Sequence, residues 1–194
     1  MSNFIESAAK SSSTLASKYI TNYIRSAFPS CTPIYTDGSV FENKVGVAIH
    51  IPSHEISIAY RSFNKLSIFS AELEAVFTAI SLVIKHNIAN PLILTDSLNI
   101  INQFQNVPSA FAGNLMHVCR DLITLNNTNL SMFWIPGHSN IRDHDTAIAN
   151  YYILSRHMLP KNSTFQIYDK MLLQHVAMSN KPLHTINNLL RTCC

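Results

Sequence analysis

Three short stretches in the first third of the chain combine β-branched residues with alternating or continuous apolar positions. They lie at residues 33–36, 44–50 and 55–61. This pattern is typical of β-strands. Pro52 and Ser53 form a turn signal between the second and third stretches. The three strands are therefore predicted to form an antiparallel meander.

Helical periodicity alternates with strand patterns over the following hundred or so residues. Ser70 is expected to cap a long helix over residues 71–87, with Glu72 and Glu74 in a first turn where the helix dipole favours acids. Further helices are predicted at residues 98–106, 115–125 and 142–159, and further strands at residues 91–97 and 130–135. The order β-β-β-α-β-α-α-β-α predicts an α/β fold, a mixed sheet with helices packed on it.

The two ends of the chain have a different character. Residues 1–30 are rich in serine and then weakly helical, until Phe28 and Pro29 end the pattern. Residues 160–194 form a tail that contains one amphipathic stretch, residues 166–178. We therefore expect an N-terminal helical extension over residues 1–30, a domain over residues 31–159, and a C-terminal tail with an amphipathic helix.

Composition narrows the class of protein. Hydrophobic residues make up 47% of the 194 residues and charged residues only 13%, against about 25% charged in a typical soluble domain. The net charge is +3, and lysine and arginine occur singly, which argues against a strong autonomous grip on nucleic acid but allows a nucleic-acid substrate. The four cysteines match no zinc or disulfide spacing. With no apolar signal segment, the protein is expected to be cytosolic or nuclear, without a membrane partner.

Two of the predicted strands end in the same way. One ends in IYTDGS, with Asp37, and the other in LILTDS, with Asp96. If these strands are parallel neighbours, both carboxylates project from one edge of the sheet, where open α/β sheets place their binding sites. The simpler interpretation of each aspartate alone is a turn residue or a helix cap.

Glu72 makes the simpler interpretation less attractive. The residues on its helix face are apolar and mostly small, namely Ala75, Val76 and Ala79. A glutamate on a face that packs closely on a sheet is costly unless it is paired or binds a cation. Glu74 is expected to point into solvent. Asp37, Glu72 and Asp96 could then converge, and oxygen ligands without histidine or cysteine suit Mg²⁺ or Mn²⁺.

The motifs carry a resemblance to a known family. The series YTDGS, GVAI, FSAELEAVFTAI, LILTDS and WIPGHS closely resembles ribonuclease H of type 1, and looks most like the ribonuclease H domains of insect-type non-LTR retrotransposons. The match covers residues 33–154. The resemblance implies a five-stranded mixed sheet of order 3-2-1-4-5 with helices on both faces. It also implies endonucleolytic cleavage of the RNA strand of RNA–DNA hybrids by two Mg²⁺ or Mn²⁺ ions, with a single ion as the alternative here.

The resemblance also assigns roles to individual residues. Asp37 would bridge both metal ions, Glu72 and Asp96 would be further metal ligands, and His138 would assist proton transfer or product release. Phosphates and ribose hydroxyls would be held near three small residues, Gly38, Ser39 and Ser97. Trp134, in the strand before the His138 loop, is interpreted as a core residue.

The stretch GHSNIRDHDTAIAN departs from the family pattern. Asn140 and Asp143 replace the two loop glycines, and the fourth catalytic aspartate of the family corresponds to Ile148, which cannot bind a metal. Asp145 lies one helical turn before Ile148, so it is the candidate substitute as a catalytic residue and metal ligand.

Two functions are therefore open at this stage. The first is an RNA–DNA hybrid ribonuclease in which Asp145 partly replaces the missing ligand. The second is a weak or inactive ribonuclease H-like module, derived from a retrotransposon, that binds nucleic acid or a protein partner. A larger reverse-transcriptase context would fit either function.

Overall fold

The computed structural model describes residues 13–41, 44–62, 67–106, 114–137 and 141. Its five strands are β1 (Thr32–Phe41), β2 (Lys44–Ile51), β3 (Ile56–Ser62), β4 (Pro91–Thr95) and β5 (Ser131–Trp134). Its α-helices are α1 (Ser13–Ala27), α2 (Ile68–His86), α3 (Leu98–Gln105) and α4 (Asn114–Leu125). The predicted helix over residues 142–159 and the predicted tail lie outside the described residues.

The strands form one mixed sheet in the order β3-β2-β1-β4-β5. β2 is antiparallel to both β1 and β3, whereas β4 is parallel to both β1 and β5. The predicted α/β fold and the predicted strand order are confirmed. All five residues of β4 are buried, as expected for a parallel strand that is covered on both faces.

The two faces of the sheet are covered by different helices. The long helix α2 packs on β1 and β2. On the opposite face, Ile20 and Ile24 of α1 form one buried cluster with Tyr35 of β1 and Leu92 and Leu94 of β4. Helix α1 therefore supplies part of the hydrophobic core that covers β1 and β4.

We expect Ile20→Ala to destabilise the protein by about 2–5 kcal/mol, because the 2% exposed isoleucine side chain would leave a cavity between α1 and the sheet. The measurement is urea unfolding followed by circular dichroism. Lys18→Ala is the matched control, since Lys18 is exposed on the same helix and its replacement should change the free energy of unfolding by less than about 0.5 kcal/mol. Equal, small effects of both substitutions would show that α1 does not contribute to the core.

Helix α2 begins earlier than predicted. Its N-cap is Ser67, whose side chain accepts a hydrogen bond from the Ser70 N–H at 3.2 Å. The predicted cap at Ser70 is therefore wrong, because the Ser67 hydroxyl three residues earlier satisfies that free N–H. As a result Glu72 lies in the second turn, away from the strongest effect of the helix dipole. At the other end, Asn87 stops the helix in a left-handed conformation, with φ of 50°.

Glu74 is buried, which contradicts the expectation that it points into solvent. Its side chain is 9% exposed. One carboxylate oxygen accepts a hydrogen bond from the Tyr60 hydroxyl at 3.1 Å, and the other accepts one from the Ser62 hydroxyl at 2.9 Å. Both partners lie on β3, so Glu74 ties α2 to the edge strand of the sheet.

None of the described helices is long and apolar enough to cross a membrane.

Candidate metal centre

Asp37 and Asp96 lie side by side at one edge of the sheet. The parallel pairing of β1 and β4 matches Tyr35 with Leu94, so two residues further along each strand the chain reaches Asp37 and Asp96. β4 ends at Thr95, whereas β1 continues alongside β2 as far as Phe41. The two aspartates therefore occupy the carboxyl ends of adjacent parallel strands, the place where open α/β sheets form their sites.

Gly38 allows the third carboxylate to approach. A Cβ atom at this position would overlap with the backbone of Ala71 and Glu72, so the absence of a side chain is what permits α2 to lie directly on β1. The Gly38 N–H also donates a hydrogen bond to the Glu72 carboxylate. The residue predicted to bind substrate thus has a clear structural function at the site as well.

The three carboxylates form one cluster. Asp37, Glu72 and Asp96 each offer an oxygen atom, and these atoms lie within 4.8 Å of one another. The side chains of Asp37 and Glu72 are 9% and 6% exposed, whereas Asp96 is partly exposed. Three acidic groups this close in a poorly solvated place repel one another unless protons or cations compensate the charge.

Burial and the charges of the neighbouring carboxylates raise the pKa of Glu72 from 4.5 to about 9. Burial is the largest cause, followed by the negative charges of Asp96 and Asp37, while the Gly38 N–H opposes the shift. The Glu72 Oε2 atom is buried and has no hydrogen-bond partner in the part of the chain that the structure describes. Buried polar atoms are rarely left without a partner, so this oxygen fits a ligand atom for a cation.

Two hydroxyl groups flank the carboxylates. The Ser39 Oγ atom is buried and has no hydrogen-bond partner among the described residues. Ser97 is the N-cap of α3, but its hydroxyl makes no capping bond, and its N–H donates instead to the Thr95 hydroxyl at 3.1 Å. Neither hydroxyl makes a hydrogen bond within the described part of the chain, which is compatible with the predicted contact of both with substrate.

Two further residues contact Asp96 and were not predicted as site residues. The indole N–H of Trp134 donates a hydrogen bond to the Asp96 main-chain carbonyl at 3.0 Å. Gly137 lies so close that a Cβ atom there would overlap with the Asp96 Oδ2 atom. Trp134 does pack against the core cluster beneath α1, as interpreted. Its bond to Asp96 has no counterpart in the hydrophobic pattern, which carries no information about the edge of an indole ring.

The family is decided by a match over most of the chain. The sequence profile of the RNase H family matches residues 30–149, which include all three carboxylates of the cluster. The chain belongs to the RNase H family. A search of curated proteins gave no match.

Solved RNase H structures are similar to this RNase H domain at low identity. LC11-RNase H1, isolated from compost by a metagenomic approach and solved with an RNA/DNA hybrid, is 19% identical, with a TM-score of 0.49 over 60% of this chain and 94% of its own. RNase H1 from Halobacterium salinarum is 17% identical, with a TM-score of 0.48 over 64% and 98%. An N-terminal RNase H domain from Mycobacterium tuberculosis, fused to maltose binding protein, is 14% identical, with a TM-score of 0.49 over 66% and 99%.

The remaining predicted site residues lie outside the part of the RNase H domain that the structure describes. They are His138, Asp145 and Ile148. The structure thus brings together three of the four predicted metal ligands, and the place of Asp145 relative to them stays a prediction.

The raised pKa of Glu72 predicts how the stability of the metal-free RNase H domain depends on pH. Between about pH 4.5 and 9 the folded state retains a proton on Glu72 that the unfolded state has lost. The free energy of unfolding should therefore fall as pH rises through this window. Urea titrations in EDTA at pH 5.5, 7 and 8.5 measure the slope. Glu72→Gln cannot ionise and should flatten it, so a mutant slope as steep as the wild-type slope would contradict the prediction.

Proposed function

We propose that this RNase H domain cleaves the RNA strand of RNA–DNA hybrids with divalent cations held by Asp37, Glu72 and Asp96. One observation carries the proposal: three carboxylates, two of them buried, converge within 4.8 Å at the sheet edge of an RNase H fold. The buried Glu72 Oε2 atom, which has no hydrogen-bond partner within the described part of the chain, supports it further. So much negative charge in one place has little structural use unless a cation binds there.

The chemistry of the three ligand groups favours Mg²⁺ or Mn²⁺. All three are carboxylates, and hard oxygen ligands select these ions over zinc or copper. When bound, such cations act as Lewis acids that activate a water molecule and stabilise the leaving 3′ oxygen. The family resemblance supports two ions, and the isoleucine at position 148 is the reason to consider that only one binds tightly.

The chain's own residues supply the remaining functions. From the resemblance, Asp37 would be the central ligand, and Glu72 and Asp96, which each offer an oxygen atom within 4.8 Å of that of Asp37, would hold the cations with it. The hydroxyls of Ser39 and Ser97, which have no hydrogen-bond partner among the described residues, would contact the phosphates or the ribose 2′-OH, the group that distinguishes RNA from DNA. From the resemblance, His138 would assist proton transfer or product release and Asp145 would partly replace the missing fourth carboxylate.

A weak or inactive module that binds nucleic acid or a protein is the second candidate function. The specific observation in its favour is Ile148, an apolar residue at a family ligand position. A retrotransposon origin, which rests on the resemblance of the five sequence blocks to insect-type non-LTR retrotransposons, would accommodate either function.

The test is cleavage of a labelled RNA–DNA hybrid, with RNA duplex and DNA duplex of the same sequence as controls. The proposal predicts cleavage of the hybrid RNA strand alone, only with Mg²⁺ or Mn²⁺, and its loss in EDTA. Binding of the hybrid without cleavage at any metal concentration would favour the second candidate function instead.

A further inference from the structure

The end of β5 fixes the backbone that carries Asp96. Trp134 pairs with Thr95 in the sheet, and the Ile135 N–H donates to the Thr95 carbonyl at 3.0 Å. The Trp134 indole N–H then donates to the next carbonyl, that of Asp96, also at 3.0 Å. β5 therefore bonds to one residue beyond the end of β4, and this last hydrogen bond comes from a side chain instead of the backbone.

Gly137 limits where the Asp96 carboxylate can lie. The Oδ2 atom of Asp96 occupies the space that a Cβ atom at position 137 would need. An alanine there would force either the carboxylate or the turn after β5 to move. Since the carboxylate lies at the end of a side chain with two rotatable bonds, it is the part that yields most easily.

We propose that Trp134 and Gly137 are positioning residues for Asp96. Trp134 holds its main-chain carbonyl, and Gly137 leaves the space in which its carboxylate faces Asp37 and Glu72. The consequence for a bound cation rests on the proposed function. Asp96 depends on such support more than its two partners do, because it is partly exposed and lies in the turn between β4 and α3.

Support of this kind matters for metal sites. Residues that orient a ligand without touching the metal typically contribute about 10–100-fold in metal affinity. A purely structural function for Trp134 is the competing explanation, since a buried indole N–H usually finds some acceptor. The two explanations differ in what a substitution changes: a positioning residue affects cation affinity beyond its effect on stability, whereas a structural residue affects stability alone.

The test compares Trp134→Phe and Gly137→Ala with Phe133→Leu in the full chain. Phe133 is the matched control, because it lies next to Trp134 on β5 and its ring stacks on Tyr23 of α1 with ring centroids 5.5 Å apart, whereas the hydrogen bond to the Asp96 carbonyl comes from Trp134. Mn²⁺ affinity is measured by titration calorimetry, and stability by urea unfolding in EDTA. We expect about tenfold weaker Mn²⁺ binding for Trp134→Phe, and about 10–100-fold weaker binding for Gly137→Ala. Phe133→Leu should lower stability and keep the wild-type affinity.

Wild-type Mn²⁺ affinity in both Trp134→Phe and Gly137→Ala would overturn the inference, and so would an equal loss in Phe133→Leu. If the wild-type protein itself binds no Mn²⁺, the proposed function fails, and crystal structures of the metal-free wild type and Gly137→Ala decide the inference separately. An Asp96 carboxylate turned away from Asp37 in the alanine variant would support positioning. An unchanged carboxylate would refute it.

Discussion

Asp37→Asn should abolish metal-dependent cleavage of the hybrid. Asp37 is 9% exposed and lies in the cluster with both other carboxylates, so the substitution removes the charge of one proposed metal ligand. The loss in rate should exceed the roughly 10–100-fold effect typical of residues that only support a ligand. Single-turnover cleavage in Mg²⁺, with calorimetric titration of Mn²⁺, measures both the rate and the metal occupancy.

The same substitution should not weaken the fold. The charge of Asp37 raises the pKa of Glu72, so asparagine removes repulsion from the metal-free cluster and should preserve or increase the free energy of unfolding in EDTA. Asp121→Asn is the matched control, because Asp121 lies on α4 and outside the cluster. Undiminished cleavage by Asp37→Asn would refute the assignment of the active site, whatever the stability of the variant.

Ile148→Asp should raise Mg²⁺-dependent cleavage by up to about 100-fold, the order of loss that about 1 Å of misplacement at a reacting centre can cause. By resemblance, position 148 is that of the fourth metal ligand, so the isoleucine there would leave one cation with fewer protein ligands. If position 148 is buried, desolvation of the new carboxylate opposes this gain, because an unpaired buried charge is costly unless a cation binds it. Cleavage and stability should therefore be measured together, with and without Mg²⁺.

Two further variants, Ile148→Asn and Asp145→Ala, show how the cleavage rate of Ile148→Asp is to be explained. Asparagine has the size of aspartate without its charge, so it should leave the wild-type rate unchanged. If Ile148→Asp folds normally and cuts no faster, the explanation depends on Asp145. If the wild-type protein cleaves and Asp145→Ala does not, Asp145 already supplies the ligand. If the wild-type protein itself does not cleave, the site is inactive.

The sequence by itself determined much of the architecture. Alternating and continuous apolar runs predicted the five strands, and the motif blocks implied the observed order 3-2-1-4-5. The sequence also indicated which carboxylates to consider, because Asp37 and Asp96 both end apolar runs and Glu72 lies on an apolar helix face. Local patterns can supply this information, since a residue's side of a strand or helix follows from the period of that element alone.

Distances between elements were decided only by the tertiary structure. Glu74 has the same residue type as Glu72 and lies two positions away, yet it faces Tyr60 and Ser62 of β3 instead of the metal cluster. The N-cap of α2 at Ser67 and the burial of α1 on the sheet likewise depend on which groups become neighbours. A sequence pattern states that a face is buried, but it does not state which side chain lies opposite.

The residues that surround the three carboxylates were likewise revealed only by the tertiary structure. From the sequence, Gly38 was predicted only to contact substrate, and Gly137 was given no function of its own. Only close packing shows that a methyl group at either position would overlap with the backbone of α2 or with the Asp96 carboxylate. The raised pKa of Glu72 arises in the same way, because burial and the charges of Asp37 and Asp96 act together only after three separate elements meet. Desolvation and Coulomb repulsion depend on distances in space, so the chemistry of this cluster is a property of the folded chain.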